Sequence, residues 1–168
     1  MTILKKKKPM AMLNSELTIK KMRLRNRLVL PPITTNYGSS KGFVTNDILQ
    51  FYTERSKDVG LTIVEATSVH AGGCIVPNSL GLWEDSQISG MEKLVKAIHG
   101  KSSQAVVQLN HAGPRCSPRK DERQGFSPSG VVFHPDIEPV IMDSKDIKQV
   151  TDDFSRAAVR AYKAGFDG

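Results

Sequence analysis

Cysteine is scarce. Cys74 and Cys116 are the only two in 168 residues, far apart and in no CxxC or Cys/His ligand spacing. That excludes a disulfide scaffold and a thiolate metal site, and it fits a reducing compartment. Long apolar runs are lacking too. Met10-Ala11-Met12-Leu13 is interrupted by Asn14 before it could form the core of a secretory leader, and no stretch approaches the ~20 residues that span a bilayer. The expectation is a cytoplasmic protein without a membrane partner. No GxGxxG follows an apolar run, and GxxxxGK[ST] and HExxH do not occur. A Rossmann fingerprint, a P-loop and a zincin helix are therefore excluded, and no metal is expected.

Acidic residues are nearly missing from one end. Residues 1–27 hold nine Lys/Arg against Glu16 alone, whereas residues 28–168 hold fifteen against sixteen Asp/Glu, so the formal charge of +7 belongs to the N-terminus. The run Lys5–Lys8 reads as a solvated basic arm over residues 1–16, set apart from one domain over 17–168. A contact with nucleic acid or anionic membrane through the arm is the alternative. It would show as a steep salt dependence lost on deleting residues 1–21. With the body near neutrality, no nucleic-acid partner is expected.

What is present is a repeated pattern in which short apolar runs end in polar residues. Leu28-Val29-Leu30 runs into Pro31-Pro32-Ile33-Thr34-Thr35, Leu61-Thr62-Ile63-Val64 into Glu65-Ala66-Thr67, and Ala105-Val106-Val107 into Gln108-Leu109-Asn110-His111-Ala112-Gly113. β-Branched runs separated by helical periodicity predict βα units, and in a (β/α)₈ barrel every strand opens its C-terminus on the face where chemistry sits. The fold class expected is α/β: the N-terminal part of a TIM barrel, about three βα units, truncated before the fourth strand, since a complete barrel needs ~250 residues.

The elements follow from local signals. Leu17–Ile19 and Met22–Leu24 flank Lys20-Lys21 as a hairpin at the barrel floor, leading to a first strand over Arg27–Leu30. Thr45 caps a helix to about Asp58, with Ile48, Leu49 and Tyr52 on one face, and Gly60 ends it before a second strand, Leu61–Glu65. A loop over 67–87 precedes a helix begun by a capping box at Ser89-Gly90-Met91-Glu92, its apolar stripe Met91, Leu94, Val95 and Ile98. A third strand, Ala105–Leu109, opens a loop over 110–142 holding five prolines, a length usually reserved for function. Asp143 or Ser144 starts the last helix, with Ile147, Val150, Phe154, Ala158 and Ala161 inward and Gly165 as its C-terminal stop.

Candidate chemistry is sparse. Asp143/Asp146 and Asp152-Asp153 read as solvated helix carboxylates, and His99 as a donor to terminal helix carbonyls. His134 lies in the Pro-rich loop. His70, just past the second strand, either lines the site or serves structure, and His111 either acts or pins its loop. Gln108 stands out, because a buried amide at a strand end either braces backbone or reads a ligand edge offering an acceptor beside a donor, as a flavin or nucleobase does.

In this order, Leu24-Arg25-Asn26-Arg27-Leu28-Val29-Leu30-Pro31-Pro32-Ile33-Thr34, Phe51–Arg55, Gly60–Ala66, Gln108–Gly113, Phe126–Ser129 and Ala157–Gly168 resemble the old yellow enzyme family of FMN-dependent NADH:flavin oxidoreductases. The resemblance is collinear over residues 17–168. It implies an FMN-bearing barrel that takes hydride from NADH or NADPH and passes it to an electron-poor alkene or related small-molecule acceptor. It further implies that Pro32, Ile33 and Thr34 pack under and beside the isoalloxazine. The Thr34 hydroxyl would tune the ring as the catalytic contribution of this stretch, Ala66 would allow close approach, and Gln108 would read the pyrimidine edge. Ile33 stands where the family commonly has methionine, and Pro114 separates Gly113 from Arg115 where it usually has Arg directly. The expectation is a chain carrying the flavin-ring half of the site. The alternative is a non-catalytic fragment that self-associates through its sheet edges as an interaction module.

Overall fold

The computed structural model describes residues 12–117, 125–133 and 139–168; His134 and most of the basic arm lie outside them. In chain order the elements are β1 (Leu17–Ile19), β2 (Met22–Leu24), β3 (Val29–Leu30), α1 (Asn46–Arg55), β4 (Leu61–Ser68), β5 (Leu80–Gly81), α2 (Ile88–His99), β6 (Gln104–Asn110), β7 (Phe126–Ser127), β8 (Val140–Ile141) and α3 (Ser144–Lys163). β1 and β2 pair antiparallel with Leu17 opposite Leu24, and Lys20 takes the turn at φ 53°. β3, β4 and β6 form a parallel sheet with β4 central and β5 beside its C-terminal end. Parallel strands need long crossovers, and α1 and α2 supply them. Three βα units of an unclosed barrel are thus present, as the sequence pattern predicts.

The core lies between the sheet and the helices. Ile48 and Tyr52 of α1, Met91, Leu94, Val95 and Ile98 of α2, and Ala157 and Ala161 of α3 pack against Val64 and Ala105, with Leu30, Val107 and Leu109 at its margin. Alternation along the strands sends Val29, Ile63, Val106 and Gln108 to the opposite face. Val29 is 45% exposed there. The hairpin sits at the N-terminal end of the sheet: Leu24 is buried, Arg25 donates to Val59 O, and Asn26 Nδ2 donates to Asp58 O at 2.8 Å. Among the described residues no helix is long and apolar enough to cross a membrane.

Several boundaries differ from the sequence reading. α1 ends at Arg55, capped by Ser56. Gly60 is needed further on, where a Cβ would meet Asn26 O at 2.5 Å. The capping box lies not at Ser89 but at Glu84 and Gln87, on the 3₁₀ turn Asp85–Gln87 that leads into α2, and α2 itself has no side-chain cap. α3 turns Ala157 rather than Ala158 inward, and Ile147 is exposed, because the buried stripe passes through Asp153. Asp153 is therefore not a solvated carboxylate. Its Oδ1 accepts from Gln149 Nε2 at 3.1 Å and from Arg156. His99 Nε2 pairs with Asp167 Oδ2 at 2.8 Å instead of capping carbonyls.

α3 closes as expected. Gly165 sits at φ +89°, its N–H donates to Tyr162 O, and Phe166 N donates to Ala161 O, the Schellman pattern. The next residues already ladder onto β6: Asp167 N donates to Ala105 O at 2.8 Å and Val107 N to Gly168 O at 3.1 Å. No fourth strand forms among the described residues, in keeping with a barrel read as cut before it, and these two backbone bonds join the segment after α3 to β6.

Candidate functional site

The strand C-termini meet at one edge because the registers are shallow. Leu30 is opposite Thr62 and Val64 opposite Val107. Between Val64 and Thr67 the register with β6 shifts by one residue, so a bulge at Glu65-Ala66 stands opposite Gln108. A bulge aims neighbouring side chains in directions that regular alternation forbids. Val64 already faces the helices, and alternation would send Glu65 away from them. The bulge instead lets Glu65 reach Tyr52 of α1.

The Glu65 carboxyl joins three segments. Tyr52 Oη donates to Oε2 at 3.3 Å, and Glu65 N donates to that same hydroxyl at 2.8 Å. Thr35 N, in the turn after β3, donates to Oε2 at 3.2 Å. Glu65 and Tyr52 are fully buried. Oε1 is buried without a hydrogen-bond partner among the described residues. Burial is the dominant influence and pushes the carboxyl up from its ordinary range, against the bonds from Thr35 and Tyr52 that favour ionisation. Desolvation, then the neighbouring Glu65, raises the Tyr52 phenol as well.

Beyond β4 and β6 the two histidines stack, ring centroids 6.1 Å apart, with Phe126 about as close to each. His70 Nδ1 accepts from Gly72 N at 3.1 Å and caps the turn Ala71–Gly73. His111 Nδ1 accepts from Gly113 N at 3.1 Å, which puts the proton of the neutral ring on Nε2, a buried atom without an acceptor among the described residues. Burial, then the charge of His70, holds this imidazole below its usual range, while Asp153 acts the other way. Both histidines brace loops, so of their two readings the structural one fits. Arg115 lies over the Phe133 ring at 4.3 Å. Burial raises the Cys116 thiol and argues against a thiolate nucleophile. Among the described residues no group of His, Cys, Asp and Glu could hold a metal.

The residues singled out from sequence come to the same edge. Pro32, Ile33 and Thr34 follow β3, with Ile33 52% exposed and the turn anchored by Thr35. Ala66 is 7% exposed within the bulge. Gln108 is exposed, not buried as its apolar neighbours suggest, because it occupies the uncovered face of β6. Its amide is thus free to meet a ligand. An exposed apolar turn after β3, a small residue in the β4 bulge and, on β6, an amide without a partner among the described residues lie at the ends of three successive strands, an arrangement that fits the face and edge of a flat heteroaromatic ring. What sequence reasoning passed over is the Glu65–Tyr52 pair. The signal is there: a lone carboxylate inside Leu61–Ala66 and a hydroxyl on the buried stripe of α1.

A model of the NADH:flavin oxidoreductase / NADH oxidase family matches residues 13–168. The NADPH dehydrogenase of Bacillus subtilis (strain 168) is 38% identical over 156 residues, 90% of this chain and 45% of that protein. Among solved structures, the old yellow enzyme from Pichia sp. AKU4542 superposes with a TM-score of 0.84 at 29% identity, over 92% of this chain and 44% of its own. A morphinone reductase superposes at 0.81 with 28% identity, over 92% and 46%. The chain thus spans less than half the length of these relatives.

Proposed function

Because the chain belongs to the NADH:flavin oxidoreductase / NADH oxidase family, we propose that its C-terminal sheet edge binds the isoalloxazine ring of FMN as one half of an old-yellow-enzyme-type site. The bound flavin would carry hydride from NADH or NADPH to an electron-poor alkene or related small-molecule acceptor. The chain's own share is positional. Pro32 and Ile33 form an apolar wall, Thr34 offers an exposed hydroxyl to tune the ring, Ala66 leaves room, and Gln108 supplies a donor and an acceptor in one group. The observation that carries this reading is the exposed Gln108 amide opposite the β4 bulge, with the Pro32–Thr34 turn following β3 on the other side of β4. Cys74 and Cys116 are buried and form no disulfide, which supports a cytoplasmic location.

The test is titration of the chain with FMN followed by flavin fluorescence. Saturable quenching that Gln108→Ala weakens is the expected result; absence of binding at every accessible concentration overturns the reading. A second reading, a non-catalytic module that self-associates, is favoured by the uncovered sheet face with Val29 exposed. Colour separates the two, since a chain that purifies without flavin and takes none up fits only the module.

A further inference from the structure

Glu65 is buried to 0% exposure on β4, the one ionisable side chain of a strand whose other buried polar residues are hydroxyls, an arrangement that costs free energy unless its bonds repay it. Among the described residues only one of its oxygens is engaged, and both bonds to that oxygen come from other segments. Thr35 N belongs to the turn after β3 and Tyr52 Oη to α1. The Tyr52 hydroxyl in turn accepts from Glu65 N, so phenol and acid are locked to each other. Thr35 is the residue after Thr34, and its amide points into the protein at the carboxyl. With that amide held, Thr34 is left to face outward, and it is exposed. Without the carboxyl, Thr35 N would lose its acceptor and the turn its attachment to β4. Pro31-Pro32 stiffen the turn by fixing φ, but they contribute no donor that could hold it in place.

We propose that Glu65 is a positioning residue: through Oε2 it fixes the Pro32–Thr35 turn against the β4 bulge, and so sets the distance between the Thr34 hydroxyl and Gln108 across the mouth of the site. Tyr52 keeps the acid from rotating away. The consequence for flavin rests on the function proposed above, whereas the positioning itself does not.

Amide hydrogen exchange on the intact chain tests the positioning. Glu65→Leu should speed exchange of Thr35 N–H by about tenfold, the equivalent of one lost hydrogen bond, while amides of β4 and β6 stay protected. Glu65→Gln retains a carbonyl acceptor and should keep Thr35 protected. Unchanged Thr35 exchange in Glu65→Leu overturns the proposal. If Glu65→Leu does not fold, Tyr52→Phe decides: it leaves the acid without its lock and should loosen Thr35 several-fold, and no change there equally overturns it. Flavin titration of the same variants tests the consequence. Glu65→Leu should weaken flavin binding about tenfold, with Glu65→Gln close to the parent; equal flavin affinity in a Glu65→Leu chain whose Thr35 has been released would overturn the role in the site. A chain whose Thr35 responds as expected but which binds no flavin would support the positioning and overturn the flavin reading alone.

Discussion

Glu65 has two oxygens in different circumstances, and that asymmetry has a signature in pH. Its folded pKa lies above the ordinary carboxyl value because burial dominates, so the acid is favoured in its protonated form relative to the unfolded chain. Stability associated with it is fully present below the unfolded pKa and is lost as pH rises through the folded one. Tyr52 is the titratable group facing it, and its phenol stays protonated throughout that window. Glu65→Gln should therefore flatten the fall in Tm from acid to neutral pH, and at neutral pH should melt higher than the parent. A pH profile of Tm that the variant leaves unaltered would contradict this. Thr34 makes the opposite case. It is exposed, so Thr34→Ala should change unfolding free energy by less than about 0.5 kcal/mol while shifting the potential of a bound flavin, read by spectroelectrochemistry. The identities of Thr34 and Gln108 as strand-end polar groups were legible from sequence. The exposure of Gln108 was not, because one sequence does not say which faces of its sheet are covered.

At the scale of elements, hydrophobic spacing located all three long helices and the parallel strands, and it failed where a polar residue sits on the buried side. The stripe on α3 runs through Asp153, and a pattern built from apolar residues alone slips by one position and selects Ala158. The extension of β4 to Ser68 escaped notice for a related reason: Thr67 and Ser68 look like loop residues, yet both are buried and paired with β6. Helix ends were more legible, since their chemistry is local. Asp143 accepts from Lys145 N at 2.7 Å and Asp146 N at 2.9 Å, so Asp143→Ala should cost about 1 kcal/mol in denaturant unfolding. Gly165 holds a left-handed φ that a side chain resists, and Gly165→Ala should cost a similar ~1 kcal/mol. A loss from either variant of under a few tenths would show that the cap is not formed in solution.

For the molecule as a whole, one face of the sheet carries helices while the other carries Val29, Ile63, Val106 and Gln108 without a covering layer among the described residues. Parallel sheets are normally covered on both faces, so the isolated chain should self-associate at micromolar concentration in analytical ultracentrifugation, and Val29→Asp should shift it toward monomer. A sharp monomer peak for the parent would mean that this face is shielded after all. The same sheet has a property of sequence in time. β3 lies beside β4 and β4 beside β6, with Asp167 and Gly168 bonded to β6 in turn, so the order of the three main strands in space is their order in the chain. Each strand leaving a ribosome finds its template already laid down, and none must wait for a partner not yet made.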